Sequence, residues 1–200
     1  MKSILIKKKR GLEVEAFYDL LHKNPVILSV KSMEGLEKCL AGNGQIIFIL
    51  FGDIITIPGI VARIKDTGKV ALIHIDLIEG LSAREVAVEF LWEHTLADGI
   101  LSTKPNLIKQ AKQLGFITIQ RFFVLDSMAL LNIEKQFPLE YADVVEILPG
   151  VMPKVISRVA RSCKKPIIAG GLIADGEDVQ TALAAGAVSV SSTNIGLIQS

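Results

Sequence analysis

Eight short runs of apolar, largely β-branched residues recur along the chain: PVILSV from Pro25, QIIFILF from Gln45, KVALIHIDLI from Lys69, DGILST from Asp98, FITIQR from Phe116, DVVEILP from Asp143, PIIAGG from Pro166 and AVSVSST from Ala187. Nearly every position in these runs is apolar, not every second one, which predicts strands covered on both faces. Segments with helical spacing lie between them, and that alternation is what a parallel sheet built from βαβ units requires. Ser32, Ser82, Asp126 and Asp175 stand where helices would begin, and Glu85 follows Ser82 at capping-box spacing. Gly68, Gly115 and Gly186 each precede a strand, as helix-ending glycines do.

The pattern predicts an α/β fold, a compact parallel (β/α)8 barrel of the TIM type, with an open doubly wound sheet as its rival. The chain has 200 residues, below the roughly 250 usual for such barrels, so loops and helices must be short. Only NIGLIQS follows the last strand, so the final helix is stunted or missing, and a partner subunit across the seam would make the protein a homo-oligomer. The expected organisation is an N-terminal extension over residues 1–24 and a barrel over residues 25–200.

Composition narrows the function classes. Half of the residues are hydrophobic and 22% are charged, enough for one sizeable core, and the formal charge of +1 gives no global field for a polyanion. Nucleic-acid contact would need a local patch, and KKKR at Lys7–Arg10, with Lys2 nearby, reads as the only basic cluster. Cys39 and Cys163 have no metal-ligand or redox spacing and read as small apolar fillers in a reducing compartment. No metal or cofactor is expected. The opening residues place their charges after a short apolar run, unlike a secretory signal, and no segment has the apolar length of a membrane span. A cytoplasmic location is expected.

In a parallel barrel the ligand meets the C-terminal ends of the strands. Polar residues gather there: Asp53, His74, Asp76, Ser102, Thr103, Lys104, Gln120, Arg121, Glu146, Gly170, Gly171 and Ser191 to Asn194. Glycines after a strand let backbone N–H groups approach an anion, so Gly170 and Gly171 with the hydroxyls of Ser191, Ser192 and Thr193 point to a phosphate. His74 and Asp76 would share one face of a strand, suited to holding a hydroxyl or fixing a loop more than to proton transfer. Arg121 needs an anionic partner, and Glu146, Asp76 or a ligand phosphate would serve. Lys104 is an anion contact or an exposed helix start. On these residues alone the chain is a phosphometabolite barrel, and an isomerase, aldolase or lyase using His74 or Asp76 as base and Lys104 as electrophile is the enzymatic alternative.

HIDLIEGL, DGILSTKPNLIKQAKQLG, QRFFVLDS, VVEILPGVMPKVI and PIIAGGLIADGEDVQTALAAGAVSVSST, in this order, resemble the glycerol-uptake operon antiterminator regulators of bacteria. The resemblance runs from about Pro25 to the C-terminus. It implies a cytoplasmic transcription regulator, not an enzyme, that senses glycerol 3-phosphate and binds the leader mRNA of glycerol-utilisation genes to prevent premature termination. It also implies a ligand phosphate at Gly170, Gly171, Ser191 and Ser192, with the glycerol end toward Asp76 and with Arg121 and Glu146 as further contacts.

Overall fold

The computed structural model of the chain describes residues 12–137 and 139–198; the KKKR cluster and Lys2 lie outside them. A helix, α1 (Val14–Lys23), precedes eight strands: β1 (Val26–Val30), β2 (Ile46–Ile49), β3 (Val70–His74), β4 (Gly99–Ser102), β5 (Ile117–Phe123), β6 (Val144–Leu148), β7 (Ile167–Gly170) and β8 (Ser189–Ser192). Helices α2 (Met33–Ala41), α3 (Ile57–Asp66), α4 (Glu85–His94), α5 (Pro105–Leu114), α6 (Ser127–Lys135), α7 (Pro153–Ser162) and α8 (Gly176–Ala184) follow β1 to β7 in turn. All neighbouring strands are parallel, and β8 pairs with β1 through Val26–Val190, Ile27–Ser191 and Leu28–Ser192. The barrel therefore closes within one chain and its seam needs no second subunit. A 3-10 turn, Ile195–Ile198, stands where an eighth following helix would.

Alternate strand residues serve two cores. Inward positions such as Phe48, Leu72, Leu101, Ile119, Val144 and Ile168 fill the barrel, while their neighbours Ile47, Ile49, Ala71, Ile73 and Ile100 pack under the helices. This double burial is why the strands read as unbroken apolar runs. Ser32, Asp126 and Asp175 cap their helices by accepting the N–H of Gly35, Ala129 and Asp178. Gly68, Gly115 and Gly186 have the positive φ that a chain reversal into a strand requires.

Two expectations fail. Ser82 does not cap α4: the helix starts at Glu85 behind Arg84, because residues 79–83 are spent on the loop, where Glu79 pairs with Gly52 and Ile54. The third strand ends at His74, and Ile75–Leu77 turns as a 3-10 helix, so Asp76 is not a strand residue sharing a face with His74.

The N-terminal end of the barrel is closed by α1. Its Phe17 and Leu21 are completely buried against Ile27, Ile46, Ile117 and Val144, and Tyr18 Oη donates to the Asp143 carbonyl at 2.9 Å. Two carboxylates brace the same end in the same way. Asp98 accepts the N–H of Ala71 and pairs with Lys65 at 2.6 Å; Asp143 accepts the N–H of Thr118 and pairs with Lys112 at 2.5 Å. With this end sealed, access to the barrel interior is left to the mouth at the strand C-termini. Replacing Phe17 by Ala removes the largest group of the seal and is expected to lower unfolding free energy by about 3–5 kcal/mol, read from the midpoint of urea unfolding at unchanged slope.

Candidate functional site

The mouth holds a cavity of about 550 Å³ lined by residues that include Ser29, Lys31, Arg121, Ser191, Ser192, Thr193 and the loop Gly171–Ala174. Beneath it lies a buried charged group. Inward parity on β5 and β6 brings Arg121 and Glu146 side by side in register, and Arg121 Nε donates to Glu146 Oε2 at 2.6 Å. Glu146 is completely buried and Arg121 nearly so, and Ser191 Oγ donates to the second carboxylate oxygen, Oε1, at 2.6 Å. A buried carboxylate without such donors would be strongly unfavourable.

Gly170 serves this group directly. A Cβ at position 170 would stand 2.5 Å from Glu146 Oε1 and 2.6 Å from Ser191 Oγ, so only glycine leaves room for the carboxylate. Its missing side chain is explained by that packing. The next residue, Gly171, has φ of +77°, and Leu172 follows at +63°, a left-handed conformation costly for a residue with a side chain. Together they carry the chain along the rim of the cavity.

Two of the hydroxyls in the cavity wall, those of Ser191 and Ser192, are already engaged. Ser191 donates to Glu146, and Ser192 Oγ donates to the Ile173 carbonyl at 2.8 Å while accepting the N–H of Asn194. Ser192 thus ties the loop after β8 to the loop after β7. The cations in the wall are Arg121, already paired, and Lys31, which has no carboxylate partner among the described residues. The floor pair cancels its own charge, so Lys31 leaves the cavity with a surplus of positive charge suited to an anion.

Asp76 lies apart from this cluster. It accepts from Ser102 Oγ at 2.9 Å, from the Thr103 N–H at 2.8 Å and from Thr103 Oγ1 at 3.1 Å, and Lys104 Nζ stands 3.3 Å away. Burial opposes ionisation of Asp76, but the hydrogen bonds from Thr103 and Ser102 and the nearby positive groups outweigh it and hold its pKa below the ordinary value. Asp76 therefore locks the turn between β4 and α5. His74 points inward beside it, with Nδ1 3.8 Å from Asp76 Oδ2, buried and without a hydrogen-bond partner among the described residues. Burial and the positive charge of Arg121 push the His74 imidazole down to about 4, so it is neutral at physiological pH.

Other expected residues have structural uses. Asp53 accepts the N–H groups of Ile55 and Thr56, starting α3, and Gln120 donates to the Ser102 carbonyl. Cys39 and Cys163 are buried free thiols; burial raises both and pushes Cys39 up to about 11. Among the described residues no cluster of His, Cys, Asp and Glu is arranged to hold a metal ion, and no helix is long and apolar enough to cross a membrane. Sequence reasoning missed Ser29 and Lys31. Both carry a readable signal: Ser29 shares inward parity with Ile27, and Lys31 directly follows β1.

The floor pair and His74 each have a measurable signature. Glu146→Leu leaves a buried guanidinium unpaired and is expected to cost about 3–5 kcal/mol, whereas the double variant Arg121→Met/Glu146→Leu recovers much of that loss; chemical denaturation of the three proteins checks it. The unfolded chain protonates His74 near 6.5, while the folded chain resists protonation down to about 4. The stability this group contributes is complete above 6.5 and is lost as pH falls through that window. Unfolding free energy measured against pH should show a shallower decline between those values in His74→Gln, with the effect of Asp76 confined to lower pH.

A family model described as glycerol-3-phosphate responsive antiterminator matches residues 26–198. The Escherichia coli K12 protein YgcP is 47% identical over 178 residues, covering 89% of this chain and 93% of its own length. Among solved structures, the glycerol uptake operon antiterminator regulatory protein of Listeria monocytogenes superposes with a TM-score of 0.81 at 32% identity, covering 84% of this chain and 91% of that one. A glycerol uptake operon antiterminator-related protein of Thermotoga maritima gives a TM-score of 0.77 at 30% identity, covering 88% and 99%. The chain belongs to the glycerol-3-phosphate responsive antiterminator family.

Proposed function

We propose that the protein is a cytoplasmic antitermination regulator that takes glycerol 3-phosphate into the mouth cavity and, so loaded, binds the leader mRNA of glycerol-utilisation genes. The observation that carries the ligand half is the roughly 550 Å³ cavity with Lys31 and Arg121 in its wall above a self-neutralised floor. In this reading the phosphate lies against Gly171 and the backbone around Ser191 and Ser192, held by N–H groups and by Lys31. Arg121 faces the glycerol hydroxyls with the donors not spent on Glu146, and Glu146 contributes from beneath by holding the guanidinium in place. Gly170 contributes by making room for Glu146, and Asp76 by setting the loop after β4. The RNA half rests on family membership. Ligand would order the rim loops and RNA would prefer the ordered state, so each raises the affinity of the other by the same factor.

The enzymatic alternative finds less support. A general base must reach the substrate with a free acceptor, but the Asp76 carboxylate is filled by Ser102, Thr103 and Lys104, and Glu146 is held by Arg121 and Ser191. Lys104 faces a carboxylate, not the apolar surroundings that activate a Schiff-base lysine.

Thermal unfolding with glycerol 3-phosphate, glycerol and inorganic phosphate tests the ligand. At a hundredfold excess over Kd a native-state ligand adds about 2.7 kcal/mol, which for a chain of this size raises Tm by roughly 5–10 °C. The expected result is that shift with glycerol 3-phosphate and a small or absent one with the two fragments. Lys31→Ala, at an exposed position, is expected to weaken binding roughly tenfold or more without lowering the Tm of the free protein. Equal shifts with glycerol alone would sink the phosphate assignment.

A further inference from the structure

Between Glu146 and Asp175 the chain carries Lys154, Arg158, Arg161, Lys164 and Lys165 and no acidic residue, although the whole chain has a formal charge of only +1. Four of these are exposed and Lys165 is half-buried, in a stretch comprising α7 and the residues just after it. Helical spacing of three and four residues gathers Lys154, Arg158 and Arg161 along one exposed side. Arg158 is spoken for by Glu134, through two hydrogen bonds of 2.7 Å. Lys154, Arg161, Lys164 and Lys165 form no ion pair among the described residues, and Arg161 donates only to Ser157 Oγ.

Beside this stripe lies a concavity. A groove of about 550 Å³ between α7 and α8 is lined by Pro153, Lys154, Ser157, Arg161, Thr181 and the small residues Ala184 and Ala185. Its α7 wall supplies two cations about 10 Å apart along the helix axis, and its α8 side supplies the Thr181 hydroxyl and the small residues Ala184 and Ala185.

We propose that the α7 stripe and the α7/α8 groove are the surface on which this protein holds the sugar–phosphate backbone of RNA. The proposal rests on the RNA half of the function proposed above and adds the place. Charge complementarity selects a polyanion, and a groove with spaced cations and hydroxyls suits a strand whose phosphates recur at regular intervals. The location also links the two sites. Leu148, ahead of α7, and the loop Gly171–Ala174, ahead of α8, both line the ligand cavity, and the Gly150 N–H donates to the Gly171 carbonyl at 3.0 Å. The helices that form the groove thus start from adjoining loops at the ligand site.

The test is fluorescence anisotropy of a labelled 30-nucleotide single-stranded RNA of mixed sequence, titrated with the full chain across a salt series under saturating glycerol 3-phosphate. Lys154→Gln/Arg161→Gln/Lys164→Gln should weaken binding roughly 10- to 100-fold and flatten the slope of log K against log salt by about 2. Lys7→Gln/Lys8→Gln/Lys9→Gln, the same change in charge elsewhere, should do much less. The glycerol 3-phosphate thermal shift of the α7 variant should stay as in wild type, since none of its three positions touches the cavity. Lys154→Gln alone should give about a third of the slope change, so a folding defect in the triple variant cannot mask the answer. If wild type binds RNA and the α7 variant binds it equally, with the loss falling on the Lys7–Lys9 variant, the surface is wrong while the regulator reading stands. If wild type binds no RNA at low salt, both fall together. Tighter α7-dependent binding of polyglutamate than of RNA would overturn RNA as the occupant.

Discussion

A guanidinium and a carboxylate placed inside a barrel must find each other, and the ion pair of Arg121 with Glu146 is the contact around which the mouth of this barrel is arranged. Two oxygens of a buried carboxylate need donors; Arg121 Nε supplies one and Ser191 Oγ the other. Space for that geometry exists only because residue 170 has no side chain. Four elements of the site, from β5, β6, β7 and β8, are therefore committed to one another before any ligand arrives. What remains for the ligand is the layer above: Lys31, Ser29, the unused face of Arg121 and the backbone of the two rim loops.

This arrangement revises the simplest account of glycines and hydroxyls at the ends of the last two strands. Such residues suggest a phosphate cradle, and Gly171, Ser191 and Ser192 do line the cavity. The hydroxyls of Ser191 and Ser192, however, are donors to Glu146 and to the Ile173 carbonyl, and Gly170 is a packing glycine. A phosphate in this cavity would depend more on backbone N–H groups, Lys31, Ser29 and Thr193 than on the hydroxyls of Ser191 and Ser192. An engaged hydroxyl network also bears on chemistry. His74 is neutral but, pushed down to about 4, only weakly basic, and it is not among the residues lining the cavity; Asp76 is filled and Glu146 is paired, so the mouth presents mainly fixed donors and charge.

The barrel was legible because its strands are buried on both faces, which writes continuous apolar runs into the chain, and because Ser32, Asp126, Asp175 and the helix-ending glycines mark boundaries through local chemistry. Failures came where tertiary contacts overrule local signals. The loop before α4 consumes the spacing that made Ser82 look like a cap, since Glu79 must bridge to Gly52. The third apolar run continues past His74, but the chain turns there so that Asp76 can reach Ser102 and Thr103 on the neighbouring unit. The pairing of Arg121 with Glu146 was foreseeable as one of several options; only the register of β5 against β6 decides it. The α7 stripe is illegible in the sequence for a different reason. Within α7 uncharged residues separate Lys154, Arg158 and Arg161, so these three form no run of like charge in the sequence, and only the helical period brings them together.

Ligand and RNA sites that do not overlap can influence each other only through a difference in free energy between two arrangements of the same parts. A tenfold change in RNA affinity needs about 1.4 kcal/mol of such difference, comparable to one or two hydrogen bonds. The rim offers parts on that scale. The turn at Gly171 and Leu172 holds a side-chain-bearing residue in a left-handed conformation, the Gly150–Gly171 hydrogen bond joins the loops ahead of α7 and α8, and Ser192 anchors Ile173 from the last strand. An anion settling on this loop would strengthen the arrangement that places the two helices as they stand. By the same linkage, a polyanion spanning the groove between those helices would favour the loop conformation that receives the anion. No large movement is required, because the coupling needed is smaller than the interactions already concentrated at that corner.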